Sequence, residues 1–206
     1  EMSPVGTLTR VSPDEDADLE KRVAVRSTQG KRIYGLEMKI VSDDGKSQAW
    51  DNHQQGELLV RGPTVISGYF KAPEANEAAF DDEGWFRTGD VARISPAGEL
   101  TIVDRTKDLI KSGGEWISSI ELENIALMHP GVASAAAVSV PHPKWGERPL
   151  LVIIPAQDAA VTEDQVLSHI ASQLAKWQVP DAIVFVDAMP MTATGKVSKR
   201  DLRARL

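Results

Sequence analysis

The stretch VDRTKDLIKSGGEWISSIELEN, Val103 to Asn124, separates two kinds of sequence. It packs Asp104, Arg105, Lys107, Asp108 and Lys111 into eight residues and then sets a Gly113-Gly114 pair, a place where backbone can approach a ligand closely. It ends on Ser118 with Glu121, the spacing of a capping box that opens a helix. Upstream lie turns and short strands. Asp14 to Arg26 has the charge density of an exposed helix, GLEMKIV (Gly35 to Val41) alternates like a strand, and DDGK (Asp43 to Lys46) turns it back. GELLVRG (Gly56 to Gly62) predicts a strand, Pro73 opens a helix to about Phe80, and the turn PAGE joins strands Val91 to Ile94 and Glu99 to Val103.

Downstream, strands alternate with helices. The helix capped by Ser118 closes at Pro130 and Gly131 and puts Leu122, Ile125, Ala126 and His129 on one face. Thr162 with Gln165 forms a second box, followed by a stripe of Leu167, Ile170, Ala171 and Leu174. Strands are expected at Ala133 to Val140, Leu150 to Ile154 and Ala182 to Val186. The expected fold class is α+β: a small β-rich, barrel-like unit over residues 1–104, then a compact α+β domain over residues 105–206.

Composition excludes several function classes. The chain has 206 residues, 42% hydrophobic and 26% charged, enough to bury a real core. No apolar run reaches the length needed to span a bilayer, and EMSPVG carries no signal-peptide pattern. Cysteine is absent, which excludes disulfides and thiolate metal sites and fits a reducing, cytoplasmic setting. A net charge of -7 argues against nucleic acid as the main partner. The first residue is Glu1, not methionine, so the chain reads as a fragment or a processed product.

Two shorter segments carry chemistry. PMTATGK (Pro190 to Lys196) offers a lysine behind a glycine on a mobile loop, yet Pro190 stands where a P-loop would need its first glycine. WFRTGD (Trp85 to Asp90) places Arg87, Thr88 and Asp90 around Gly89. Taken singly, the charge cluster at 104–111 reads as a solvated linker and the TGD as a structural turn. Taken in order, GELLVRGPTVISGYFKAPEANEAAF, WFRTGD, DRTKDLIKSGGEWISSIELE and PMTATGKVSKRDLR resemble the successive signature segments of the acyl-adenylate-forming enzymes, which include acyl-CoA synthetases, adenylation domains and beetle luciferases. The resemblance covers nearly the whole chain. SGGEWISSIELEN is similar to the fatty acyl-CoA synthetase branch, medium-chain types especially.

The resemblance implies an enzyme that joins a carboxylic acid, a fatty acid by this branch, to the α-phosphorus of ATP and then gives the acyl group to coenzyme A. Two anions must meet, so the first step needs cations aimed at them. Lys196 matches the adenylation lysine, Asp90 the acceptor for the ribose hydroxyls, and Arg105 a second nucleotide contact. Glu1 matches the residue that holds Mg²⁺. Lys107 matches the hinge on which a C-terminal lid swings, which would withdraw Lys196 and bring Gly113 and Gly114 beside the pantetheine arm of coenzyme A. Lys111 would then sit near the acyl-adenylate, its bland alternative being a surface strand lysine. Trp116, His142 and Trp145 carry no role that residue chemistry derives. The resemblance further implies a homo-oligomer contact, if any, in the absent portion, and a lysine acetyltransferase acting on Lys196. No integral membrane segment and no nucleic acid are implied.

The family's phosphate loop and acyl pocket are not in this sequence, so this piece alone is not expected to adenylate. The alternatives are an enzyme that loads a carrier protein, one that acts on an aryl or small sulfur-containing acid, and a non-catalytic nucleotide-binding fragment.

Overall fold

The computed structural model describes residues 2–206. The chain divides into two compact units, Glu1–Thr106 and Lys107–Leu206.

The first unit runs β1 (Thr7–Leu8), α1 (Pro13–Ala17), α2 (Leu19–Arg26), β2 (Gly30–Arg32), β3 (Glu37–Val41), β4 (Gly56–Arg61), α3 (Pro73–Ala79), β5 (Phe86–Ile94) and β6 (Glu99–Arg105). Its strands form one antiparallel six-stranded sheet in the order β1-β2-β6-β5-β4-β3. Among the described residues β1 and β3 do not pair with each other, so the barrel-like expectation resolves as a half-barrel. Met38, Ile40, Leu58, Val60, Ala92, Ile94 and Leu100 point to one core, the two-residue period of strands with one buried face.

Two details differ from the sequence reading. The helix expected over Asp14 to Arg26 is two helices, because Asp18 takes an extended conformation (φ -107°, ψ 116°) and its carboxylate accepts from the amides of Glu20 and Lys21. A residue that caps a new helix cannot continue the old one. The TGD segment is not a turn but the middle of β5, which starts at Phe86 rather than Val91. Gly89 sits there at φ +72°, a left-handed conformation open to glycine, and the pairing with β6 slips between Val91 and Ala92.

The second unit runs β7 (Ile110–Ser112), β8 (Glu115–Ile117), α4 (Ser119–Leu127), β9 (Val132–His142), β10 (Gly146–Pro155), α5 (Glu163–Ala171), a 3₁₀ turn (Lys176–Gln178), β11 (Ala182–Phe185) and α6 (Lys199–Arg203). β10 is central: β9 pairs antiparallel along its length, while its other edge takes β11 in parallel at Leu150 to Ile153 and β7 at Gly146. Both faces of this sheet are covered. Ala137, Leu151 and Ile153 pack with Leu122, Ile125 and Ala126 of α4 and with Val166 and Ile170 of α5. Ala136, Val138 and Val152 pack on the opposite side with Met189 and with Leu202 of α6. Burial on both sides explains the apolar runs AAAV in β9 and LLVII in β10.

Both expected helix starts form. Ser118 Oγ accepts from the Glu121 amide at 3.1 Å, and Thr162 and Gln165 exchange two bonds, at 2.9 and 3.4 Å. The stripe on α5 is corrected: Val166 and Ile170 are buried with Leu167 beside them, whereas Ala171 is exposed.

Candidate functional site

The sheet register of the first unit brings Asp90 and Arg105 together. They are cross-strand partners on β5 and β6, and Arg105 Nε lies 2.8 Å from Asp90 Oδ1. The slip at Val91/Ala92 creates this alignment, so neither position is informative without the bulge. Asp90 is further braced from below: its amide donates to Thr88 Oγ1 at 3.1 Å, and the Thr88 hydroxyl donates to the Leu58 carbonyl at 2.9 Å. Burial pushes the Asp90 carboxyl above the usual carboxylate range, against the pull of the Arg105 guanidinium beside it. Its side chain is 18% exposed and that of Arg105 59%, so a recessed acceptor stands behind an accessible fork of donors.

These residues border a cleft of about 400 Å³ that is also lined by Thr88, Leu58, Phe86 and Ile102. A larger hollow of about 750 Å³ lies by Arg10, Lys31 and Glu99 and holds none of the motif residues. Size favours the second and chemistry the first; a carboxylate with a raised proton affinity, an arginine and a threonine around one cleft are the better functional signature.

Lys107 opens the second unit and is exposed, and its carbonyl accepts from Arg203 Nη2 at 3.2 Å. Gly113 and Gly114 are the two loop residues of the β7–β8 hairpin, with φ +62° and +91°. A two-residue hairpin with both central residues left-handed demands such residues, so the turn itself accounts for the glycine pair. The tip still leaves little room over Gly113: a Cβ there would meet the Trp145 ring at 2.9 Å, and the Gly113 amide donates to the Trp145 carbonyl at 2.8 Å. Lys111 stands on β7 opposite Trp116, its Nζ 5.6 Å from the indole centroid, and its amide donates to Glu147 at 2.9 Å.

Lys196 lies on a folded turn rather than a slack loop. Met191 and Val197 bridge its base, Thr192 N–H donates to the Lys196 carbonyl at 2.7 Å, Lys196 N–H donates to Thr192 Oγ1 at 3.1 Å, and Ser198 N–H donates to the Pro190 carbonyl at 2.7 Å. Gly195 adopts φ +77° to close it. The Lys196 side chain is exposed and, among the described residues, enters no ion pair or hydrogen bond. The result is an ammonium held out on a stiff support.

The structure thus joins Asp90 with Arg105 in one cleft, Lys111 with Gly113 and Gly114 on one hairpin, and Lys196 with α6. Glu1 lies outside the described residues. Three charged groups escaped the sequence reading. Lys199 pairs with Glu123 at 2.6 Å and donates to Ser119 Oγ at 2.7 Å, holding α6 to the start of α4. Arg203 ties α6 to Asp108 at 3.0 Å. Arg148, one of the few buried charges, joins Asp181, Ser112 and the carbonyls of Trp177 and Val179. An arginine inside the apolar run RPLLVII was the one available signal.

Comparison with known proteins places these features. Residues 121–196 match the family of the AMP-binding enzyme C-terminal domain. The chain is 50% identical over 204 residues to a 3-methylmercaptopropionyl-CoA ligase from Ruegeria lacuscaerulensis, covering 98% of this chain and 37% of that one. It is 42% identical over 206 residues to a medium-chain-fatty-acid–CoA ligase from Ectopseudomonas oleovorans, covering 100% of this chain and again 37% of the relative. Among solved structures it is similar to o-succinylbenzoate CoA synthetase from Bacillus subtilis in complex with its acyl-adenylate intermediate, with a TM-score of 0.79, 32% identity, and coverage of 94% of this chain and 37% of that one. ATP-bound MatB from Rhodopseudomonas palustris superposes with a TM-score of 0.78 at 33% identity, over 87% of this chain and 35% of that one. The chain therefore spans little more than a third of the length of these relatives, and over residues 121–196 it matches the family of the AMP-binding enzyme C-terminal domain.

Proposed function

We propose that this chain is the C-terminal part of an ATP-dependent acid–thiol ligase that makes an acyl-AMP and passes the acyl group to coenzyme A. The observation that carries this reading is Lys196: an exposed, unpaired ammonium on a hydrogen-bonded turn, in a chain 50% identical over 204 residues to a CoA ligase. In the first step a carboxylate oxygen attacks the α-phosphorus of ATP, the bond to the bridging oxygen breaks, and pyrophosphate leaves. Lys196 neutralises charge as the two anions approach, and delivery on a long stem suits a group that must later withdraw. Asp90 accepts from the ribose hydroxyls, and Arg105, which already engages one Asp90 oxygen, orients that carboxylate and donates to the nucleotide.

In the second step the coenzyme A thiol attacks the acyl carbon and AMP leaves. The second unit swings at Lys107 between the two steps, which takes Lys196 away and brings the Gly113-Gly114 hairpin, with Lys111, to the pantetheine arm. Among the described residues no group of three or more His, Asp or Glu side chains could hold a metal alone. Mg²⁺ would arrive on the nucleotide's phosphates and need at most one carboxylate, the role proposed for Glu1, and it would offset phosphate charge.

The acid is a medium-chain fatty acid on the likeness to the Ectopseudomonas relative, and a small sulfur-containing acid is the second reading, favoured by the 50% identity to the Ruegeria ligase. A cytoplasmic setting and acetylation of Lys196 complete the proposal; the second is supported by the exposure of that side chain. No helix is long and apolar enough to cross a membrane among the described residues.

The test uses the full-length parent protein. Lys196→Ala should lower ATP–pyrophosphate exchange by about 10²–10³-fold, the usual loss for one charge-stabilising group, while thioester formation from supplied acyl-AMP stays within about threefold. Equal loss in both half-reactions would refute the two-pose mechanism.

A further inference from the structure

Hydrogen bonds mark both ends of the segment on which the proposed swing depends, one in the first unit and two in the second. In the first unit the Thr106 amide donates to the Gly89 carbonyl at 2.9 Å, which fixes the peptide plane entering Thr106 to β5. In the second, Arg203 Nη2 donates both to the Lys107 carbonyl at 3.2 Å and to Asp108 Oδ1 at 3.0 Å, which fixes the plane leaving Lys107 to α6. Each residue has two soft torsions, so only about four remain free between the two fixed planes, the φ and ψ of Thr106 and Lys107.

The arm that holds the second plane is stiff. Leu202 is buried against the sheet, and Lys199 binds Glu123 and Ser119. The same helix reaches back toward Lys196, since Ser198 caps it and its amide closes the Lys196 turn on Pro190. Pivot and ammonium are therefore mounted on one short helix.

We propose that Arg203 is a positioning residue: it confines the pivot to Thr106 and Lys107 and sets it at a fixed distance from the turn that carries Lys196. This rests on the swinging-lid reading given above. Without Arg203 the torsions of Asp108 and Leu109 join the pivot, the lid reaches more orientations, and each productive pose is occupied less often.

Trypsin reads the clamp directly, because the bond it would cut after Lys107 is the one whose carbonyl Arg203 holds. In the full-length parent protein Arg203→Met should speed cleavage after Lys107 by about tenfold and leave cleavage after Lys111 unchanged, as expected for local rather than global opening. Turnover with saturating substrates should fall about three- to tenfold with the KM for ATP unchanged, since the nucleotide site on the first unit is untouched. Arg203→Lys should restore part of both, because an ammonium can still donate to the two acceptors. If Arg203→Met does not fold, Arg203→Gln, too short to bridge both acceptors, should give the same cleavage pattern. Unchanged cleavage after Lys107, or an equal rise at every site, would overturn the proposal. A wild-type protein that makes no acyl-AMP would instead remove the function proposed above and leave the cleavage result standing.

Discussion

Arg148→Met tests the stiffness of the second unit, on which every proposed role of Lys196 depends. The Arg148 side chain is 10% exposed, and its guanidinium joins four partners from three places: Ser112 on β7, the carbonyls of Trp177 and Val179 at the 3₁₀ turn, and Asp181 just before β11. Asp181 is 46% exposed, so water can replace the arginine there and that bond contributes little. The Ser112 bond is buried and the two carbonyl bonds are part-buried, and each of these three acceptors loses a charged donor. At about 1.5–3 kcal/mol for a bond to a charged group, and with the usual non-additivity of neighbours, the loss should be about 4 kcal/mol. Arg148→Lys keeps the charge but not the fork and should lose about half of that.

Hydrogen exchange measures this locally. Amides of β10 and β11 should lose about a thousandfold of protection in Arg148→Met, the equivalent of about 4 kcal/mol, while those of β3 and β4 in the other unit stay as they were. A loss below about tenfold would show that the sheet edge is held by apolar packing alone and that the buried fork is dispensable.

Further outcomes follow from the turn and the cleft. Gly113→Ala forces a left-handed residue against the Trp145 ring and should cost about 1–2 kcal/mol, whereas Gly114→Ala meets open space and pays only the backbone strain; a larger drop in melting temperature for Gly114→Ala would contradict the hairpin geometry. Asp90 has a raised proton affinity, so folding favours its protonated form: the stability it contributes is greatest below the ordinary carboxylate value and fades as pH rises through the raised one. Ribose hydroxyls favour the ionised form, so nucleotide binding to the full-length protein should tighten as pH rises through that same range. Asp90→Asn should flatten the dependence, and a titration showing tighter binding at lower pH would exclude the proposed ribose contact.

Local signals carried much of the fold. Ser118 and Thr162 cap where their spacing says they should, since a cap is settled within four residues. The α+β alternation of the second unit was legible for the same reason. What failed needed longer range. The strand pairing within KSGGEW was not read from the sequence, because the hairpin that the two glycines turn has strands of only three residues each. Val166 was missed on α5 because helical periodicity leaves the phase of a short stripe open, and the sheet beneath it decides. In the site, Lys196, Asp90 and Arg105 stood out through motif context, but the contact between the last two depends on a one-residue slip that no local rule predicts. Arg203 and Lys199 gave no local signal, because their partners Asp108 and Glu123 lie far away along the chain.

The two units keep separate oily interiors, one centred on Ile40, Val60 and Ile94 and the other on Leu122, Leu151 and Ile170. A cut between Thr106 and Lys107 would therefore divide none of these apolar clusters of the described residues, which makes that bond a natural place to divide the protein for a complementation reporter. Each half could be expressed separately, labelled, and rejoined by splicing, with the second carrying the ammonium as a portable cassette for grafting onto a different nucleotide-binding body.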